Sequence, residues 1–163
     1  MTSGIDPNIK IEEIFIGPGI PSLKLRGEKK DRVFVGGSYD RKDHHRLDMI
    51  SDVVIACGHI PVKAEDYPEA EKYIRHYIEV LLKNCKLAIL DCTVRSGAEN
   101  ELEFIKLNPM GTLCLWEKLH KSKDYPGINR VTQNNPIFVN CNRRYQNRDD
   151  VMVHVRDFLL SWS

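Results

Sequence analysis

A chain of 163 residues has room for one domain with a single substantial core. Its 24 Lys plus Arg against 23 Asp plus Glu leave a net charge of +1, which argues against a nucleic-acid coat or an anionic-membrane binder. No apolar run approaches the ~20 residues of a membrane span, and the N-terminus lacks a secretory h-region.

Residues 1–30 are broken by Gly4, Pro7, Gly17, Pro18, Gly19, Pro21 and Gly27, with one short apolar stretch at Ile9–Ile16. They read as an N-terminal extension that packs on the domain or on another subunit, and residues 31–163 as the domain proper. The regular pattern opens with a strand at Arg32–Val35, which runs into Gly36-Gly37-Ser38-Tyr39. A helix over about Asp43–Cys57 carries Leu47, Ile50 and Val54 on one stripe, and Gly58 is placed to end it. A short strand at His59–Val62 and a polar loop lead to a helix over about Pro68–Asn84. Its buried face is Ala70, Ile74, Tyr77, Ile78 and Leu81.

The third strand, Lys86–Asp91, is apolar without alternation, as a strand covered on both faces is. A helix over about Gly97–Leu107 follows, stopped by Asn108-Pro109, and then a strand at Thr112–Trp116. Residues 117–135 are polar, irregular and long enough for a functional flap. A fifth strand is expected at Ile137–Asn140. The last helix, about Arg148–Trp162, turns Val151, Val155, Phe158, Leu159 and Trp162 inward. Strand and helix alternate throughout, so the expected fold is α/β: a flavodoxin-like three-layer sandwich on a five-stranded parallel sheet of order 2-1-3-4-5. Its switch point brings residues 36–39 and 91–101 to one crevice at the carboxyl ends of the strands.

Gly36, Gly37 and Ser38 suit either close backbone approach to a ligand or simply a tight turn. Asp91 ends the third strand at the same crevice. Ser96 is placed to cap the third helix, with Gly97 beside it and the free N–H groups of the first turn forming an anion site. Ser96 and Glu99 also fit a capping box. Glu101 lies one residue off the buried stripe, which suits either a first-turn surface carboxylate or a catalytic one. The six histidines have no metal-ligand spacing, and no GxSxG motif appears, so neither a metal nor a hydrolase triad is expected. The five cysteines lack CxxC spacing; Cys57, Cys85, Cys92 and Cys114 sit in or beside apolar runs, as in a protein of a reducing, cytoplasmic setting.

The order VFVGGSY, YIEVLLKNCKLAILDCT, RSGAENEL and TLCLW resembles the nucleoside 2-deoxyribosyltransferase superfamily, including its small deoxynucleotide N-hydrolases, and more distantly the TIR domains. The resemblance covers roughly residues 32–162. It implies Glu101 as the catalytic carboxylate, Ser96 as a phosphate or substrate contact, and Gly36, Ser38 and Tyr39 on the nucleobase or ribose side. It further implies cleavage of the N-glycosidic bond of a 2′-deoxynucleotide or of NAD, by hydrolysis or base transfer, with no cofactor. Apolar Ile78 stands where many deoxyribosyltransferases carry an Asp, which tilts the expectation toward hydrolysis. Such proteins self-associate, so a homo-oligomer is expected. The competing expectation is a non-catalytic TIR-like assembly or nucleotide-sensing module on the same fold.

Overall fold

The computed structural model describes residues 9–67, 74–94, 98–118 and 142–162. Leu87–Asp91 shows why the chain folds as it does. All five residues are buried, yet successive side chains leave the strand on opposite faces. Leu87 and Ile89 enter one core, while Ala88 and Leu90 enter another. A strand that must be apolar at every position belongs at the centre of a doubly covered sheet, and this one pairs in parallel with strands on both sides.

The strands in chain order are β1 (Ile11–Ile14), β2 (Leu23–Arg26), β3 (Arg32–Gly36), β4 (Ile60–Val62), β5 (Leu87–Asp91), β6 (Gly111–Glu117) and β7 (Asn142–Tyr145). The helices are α1 (His44–Ala56), α2 (Ile74–Lys83), α3 (Glu99–Leu107) and α4 (Arg148–Ser161). Strands β4-β3-β5-β6-β7 form one sheet with every neighbouring pair parallel. This is the expected 2-1-3-4-5 order and an α/β flavodoxin-like fold. One face carries α1 and α4, which bury Leu47, Ile50, Val54, Val151, Val155 and Phe158 against Val33, Val35 and Ile89. The other carries α2 and α3, which bury Tyr77, Leu81, Leu102 and Ile105 against Phe34, Ala88 and Leu90.

Helix α1 ends as expected. Gly58 takes φ +85°, its N–H bonds the Ile55 carbonyl at 2.9 Å, and the His59 N–H bonds that of Val54 at 3.1 Å. The fifth strand expected at Ile137–Asn140 lies outside the described residues, as do all but the first two residues of the segment 117–135; the strand beside β6 is Asn142–Tyr145. Trp162, expected inward, is 41 % exposed. It stands past the last turn of α4, tilted against Phe158 at 6.4 Å, over Gly111, where a Cβ would meet its ring at 2.9 Å.

The N-terminal stretch packs on the domain. Strands β1 and β2 form an antiparallel hairpin, and Ile16, Leu23 and Leu25 join the core of Phe34 and Tyr77. The fully buried Arg32 ties this hairpin down. Its guanidinium donates to the Arg26 carbonyl at 2.8 Å, the Gly27 carbonyl, the Asn84 carbonyl at 3.0 Å and Glu12 Oε1 at 3.0 Å. Arg32→Met should therefore leave three carbonyls short of donors and cost about 3 kcal/mol or more in urea unfolding, whereas Glu12→Gln, at a part-exposed partner, should cost under about 1 kcal/mol. Equal effects would mean the ion pair, not the carbonyl clamp, holds the hairpin.

Candidate functional site at the carboxyl ends of the strands

Helix α3 sets the site. Its first helical bond runs from the Leu102 N–H to the Ala98 carbonyl at 3.0 Å. Ala98, Leu102 and Ile105 are all buried, which fixes the rotation of the helix on the sheet. That rotation leaves Glu99 and Glu103 exposed and turns Glu101 inward, to 3 % exposure. The helix therefore starts later than expected: Ala98, not Ser96, is the N-cap, and it makes no side-chain capping bond. Burial of Ala98 in register with Leu102 sets that boundary. Ser96 and Gly97 themselves lie outside the described residues.

Glu101 faces the end of β3. A Cβ on Gly36 would stand 3.0 Å from Glu101 Oε1, 2.6 Å from Phe34 Cε1 and 3.2 Å from Leu90 Cδ2. A Cβ on Gly37 would stand 2.9 Å from the Asp91 carbonyl oxygen. The paired glycines thus serve the protein's own carboxylates first, letting β3 close against both. Burial pushes the Glu101 carboxyl up to about 7, eased only by a hydrogen bond from its own backbone N–H. Among the described residues no basic side chain pairs with it. Tyr39 packs between the two cores, and its hydroxyl oxygen accepts the Ala64 N–H at 3.3 Å. Burial, with the Glu101 charge adding to it, keeps that phenol protonated well past its ordinary range.

Asp91 and Ser38 have a different setting, on the α1 face. Asp91 Oδ2 accepts Arg46 Nε–H at 2.8 Å, and Oδ1 accepts the Thr93 hydroxyl at 2.6 Å and the Thr93 N–H at 3.3 Å. Arg46 Nη2 also donates to Asp43 Oδ1 at 2.7 Å, while the Ser38 hydroxyl donates to Asp43 Oδ2 at 2.8 Å. Burial works against the Asp43 charge, but Ser38 and Arg46 outweigh it and hold its carboxyl below the usual range. Burial likewise works against the Arg46 charge and is outweighed by Asp91 and Asp43, which hold its guanidinium above its ordinary value. The Thr93 hydroxyl further accepts the Glu117 N–H at 3.0 Å. Beside this network stands the buried Tyr145 hydroxyl, next to Thr93, and burial pushes its phenol above the ordinary range.

Gly36, Gly37, Ser38, Tyr39, Asp91 and Glu101 therefore meet around the ends of β3 and β5. Glu101 has no cationic partner among the described residues, while Asp91 and Ser38 spend their bonds inside the protein. Arg46, Asp43, Thr93 and Tyr145 complete the site and were not singled out from the sequence. Arg46 carried a usable signal: it falls on the α1 stripe with Leu47, Ile50 and Val53, where a cation needs buried carboxylates.

Elsewhere, His44, Asp48 and Glu65 bring ligand-type atoms within 4.8 Å of one another. The cluster is already neutralised from within. Lys63 Nζ lies 3.1 Å from Glu65 and 3.3 Å from Asp48, and the two His44 ring nitrogens bond Asp48 at 3.0 Å and Glu65 at 2.7 Å, raising the imidazole above its ordinary value. No protein-family model matches the chain, and comparison with curated proteins finds no match.

A carboxyl raised on folding favours the folded state fully below its unfolded value, near 4.5, and loses that contribution as pH climbs through about 7. Glu101→Gln should therefore stabilise the protein by up to about 3 kcal/mol at pH 9, at ~1.4 kcal/mol per pH unit, with the gain vanishing below about pH 4.5. Denaturant unfolding of both proteins across that range checks it. A variant less stable than the parent at pH 9 would contradict the burial argument.

Proposed function

We propose that the protein cleaves the N-glycosidic bond of a nucleotide, either a 2′-deoxynucleotide or NAD, by hydrolysis or base transfer, with Glu101 as the catalytic carboxylate. The observation that carries this reading is the Glu101 carboxyl, buried at the carboxyl end of a parallel strand without a cationic partner among the described residues. Breaking a C1′–N bond sends the bonding pair out with the base and leaves positive charge on the sugar. An ionised carboxylate in apolar surroundings is costly until such a charge develops beside it. Its stabilisation is therefore greatest in the transition state.

Glu101 can hold that cation electrostatically, or close on C1′ to form a sugar ester. In hydrolysis water then replaces the carboxylate at C1′ and gives up a proton; in transfer a second base replaces it. Tyr39, kept protonated, can donate to a substrate oxygen or to the departing base. The Arg46–Asp43–Asp91 network holds the loop after β3 against the end of β5, so the floor beneath the sugar does not shift during the reaction.

Incubation with NAD and with deoxynucleoside monophosphates, followed by chromatography for free base, tests the reading. Turnover should fall at least about 1,000-fold in Glu101→Gln, and kcat/KM should rise with pH to a plateau above about 7, because the ionised form acts. Tight binding of these nucleotides without base release, unchanged in the variant, would replace the enzyme with a nucleotide-sensing module.

A further inference from the structure

A cavity of about 370 Å³ opens at the opposite end of the sheet from Glu101, between the C-terminal end of α1 and α4. Lys86 and Leu87 line it where β5 begins, whereas Glu101 stands where the sheet ends. Its size falls within the range of small-molecule sites. The floor is apolar: Cys57, Leu87, Met152 and Leu159, with Cys57 Sγ 3.9 Å from Met152 Sδ. The charged lining is of one sign. Lys86 and Arg156 contribute it, beside the imidazole of His59, and no carboxylate lines the cavity.

At the C-terminal end of α1, whose carbonyls would repel an anion, those of Val53, Val54 and Ile55 already accept the N–H groups of Cys57, Gly58 and His59. His59 Nδ1 lies 3.2 Å from the Cys57 carbonyl, which fixes the ring at the cavity wall. Lys86 and Arg156 are exposed at the rim, where their flexible stems can follow a charged head while the floor takes an apolar body.

We propose that this cavity binds a small amphiphilic carboxylate, with its chain or ring on Leu87, Met152 and Leu159 and its head between Lys86 and Arg156. The site is independent of the glycosidic-bond chemistry. Octanoate is the probe, followed through backbone amide NMR shifts, with 1-octanol and octylammonium as uncharged and cationic controls. Octanoate should give saturable shifts confined to residues 56–59, 86–87 and 152–160, with Kd at or below about 1 mM. The double variant Lys86→Glu plus Arg156→Glu, changed at exposed positions only, should weaken octanoate at least about 10-fold while leaving the rest of the spectrum in place. Octanol or octylammonium binding as tightly as octanoate would overturn the proposal, as would unchanged affinity in the double variant. Shifts of the same residues on raising protein concentration alone, with octanoate without effect, would assign the cavity to a second copy of the chain and overturn it too.

Discussion

One carboxyl group, shut against the last residue of β3, constrains everything near it. Glu101 is brought inward because Ala98, Leu102 and Ile105 fix the roll of α3, and Gly36, without a side chain, leaves room for it. Desolvation makes its charge expensive, and no cation among the described residues offsets that expense. Strongly perturbed acids of this kind cluster at functional sites, which makes Glu101 the candidate on which the proposed function rests.

The opposite face of the same strand ends handles charge in the other way. Asp43 and Asp91 are as buried as Glu101, but Arg46 bridges them, with Ser38 and Thr93 taking the remaining bonds. Removing Arg46 would strand two carboxylates, so the network reads as scaffold. Two sets of acids a few residues from one crevice thus differ in role because of what stands beside them, not because of residue type. Tyr39 sits between the two settings and touches both cores.

Much of the architecture was readable in advance because its signals are local. The unbroken apolar run of β5, the stripe Leu47-Ile50-Val54 and the Gly58 stop each depend on neighbours a few residues away. The start of α3 was not, since it is set by the burial of Ala98 against the core. The contacts that Gly36, Gly37 and Asp91 make inside the protein were not legible for a related reason. Their partners are Glu101, the Asp91 backbone and Arg46, far away in sequence and adjacent only once the sheet has formed. Glu101 itself was identifiable as a candidate, but its burial and the absence of a described counter-ion come from packing alone.

The most direct measurement is a pH titration of the Glu101 side-chain carboxyl followed by its carbon-13 chemical shift. The account expects a midpoint near 7, moving down when a cationic sugar mimic occupies the crevice. A midpoint near 4.5, indifferent to such a ligand, would show a solvated surface acid and contradict it.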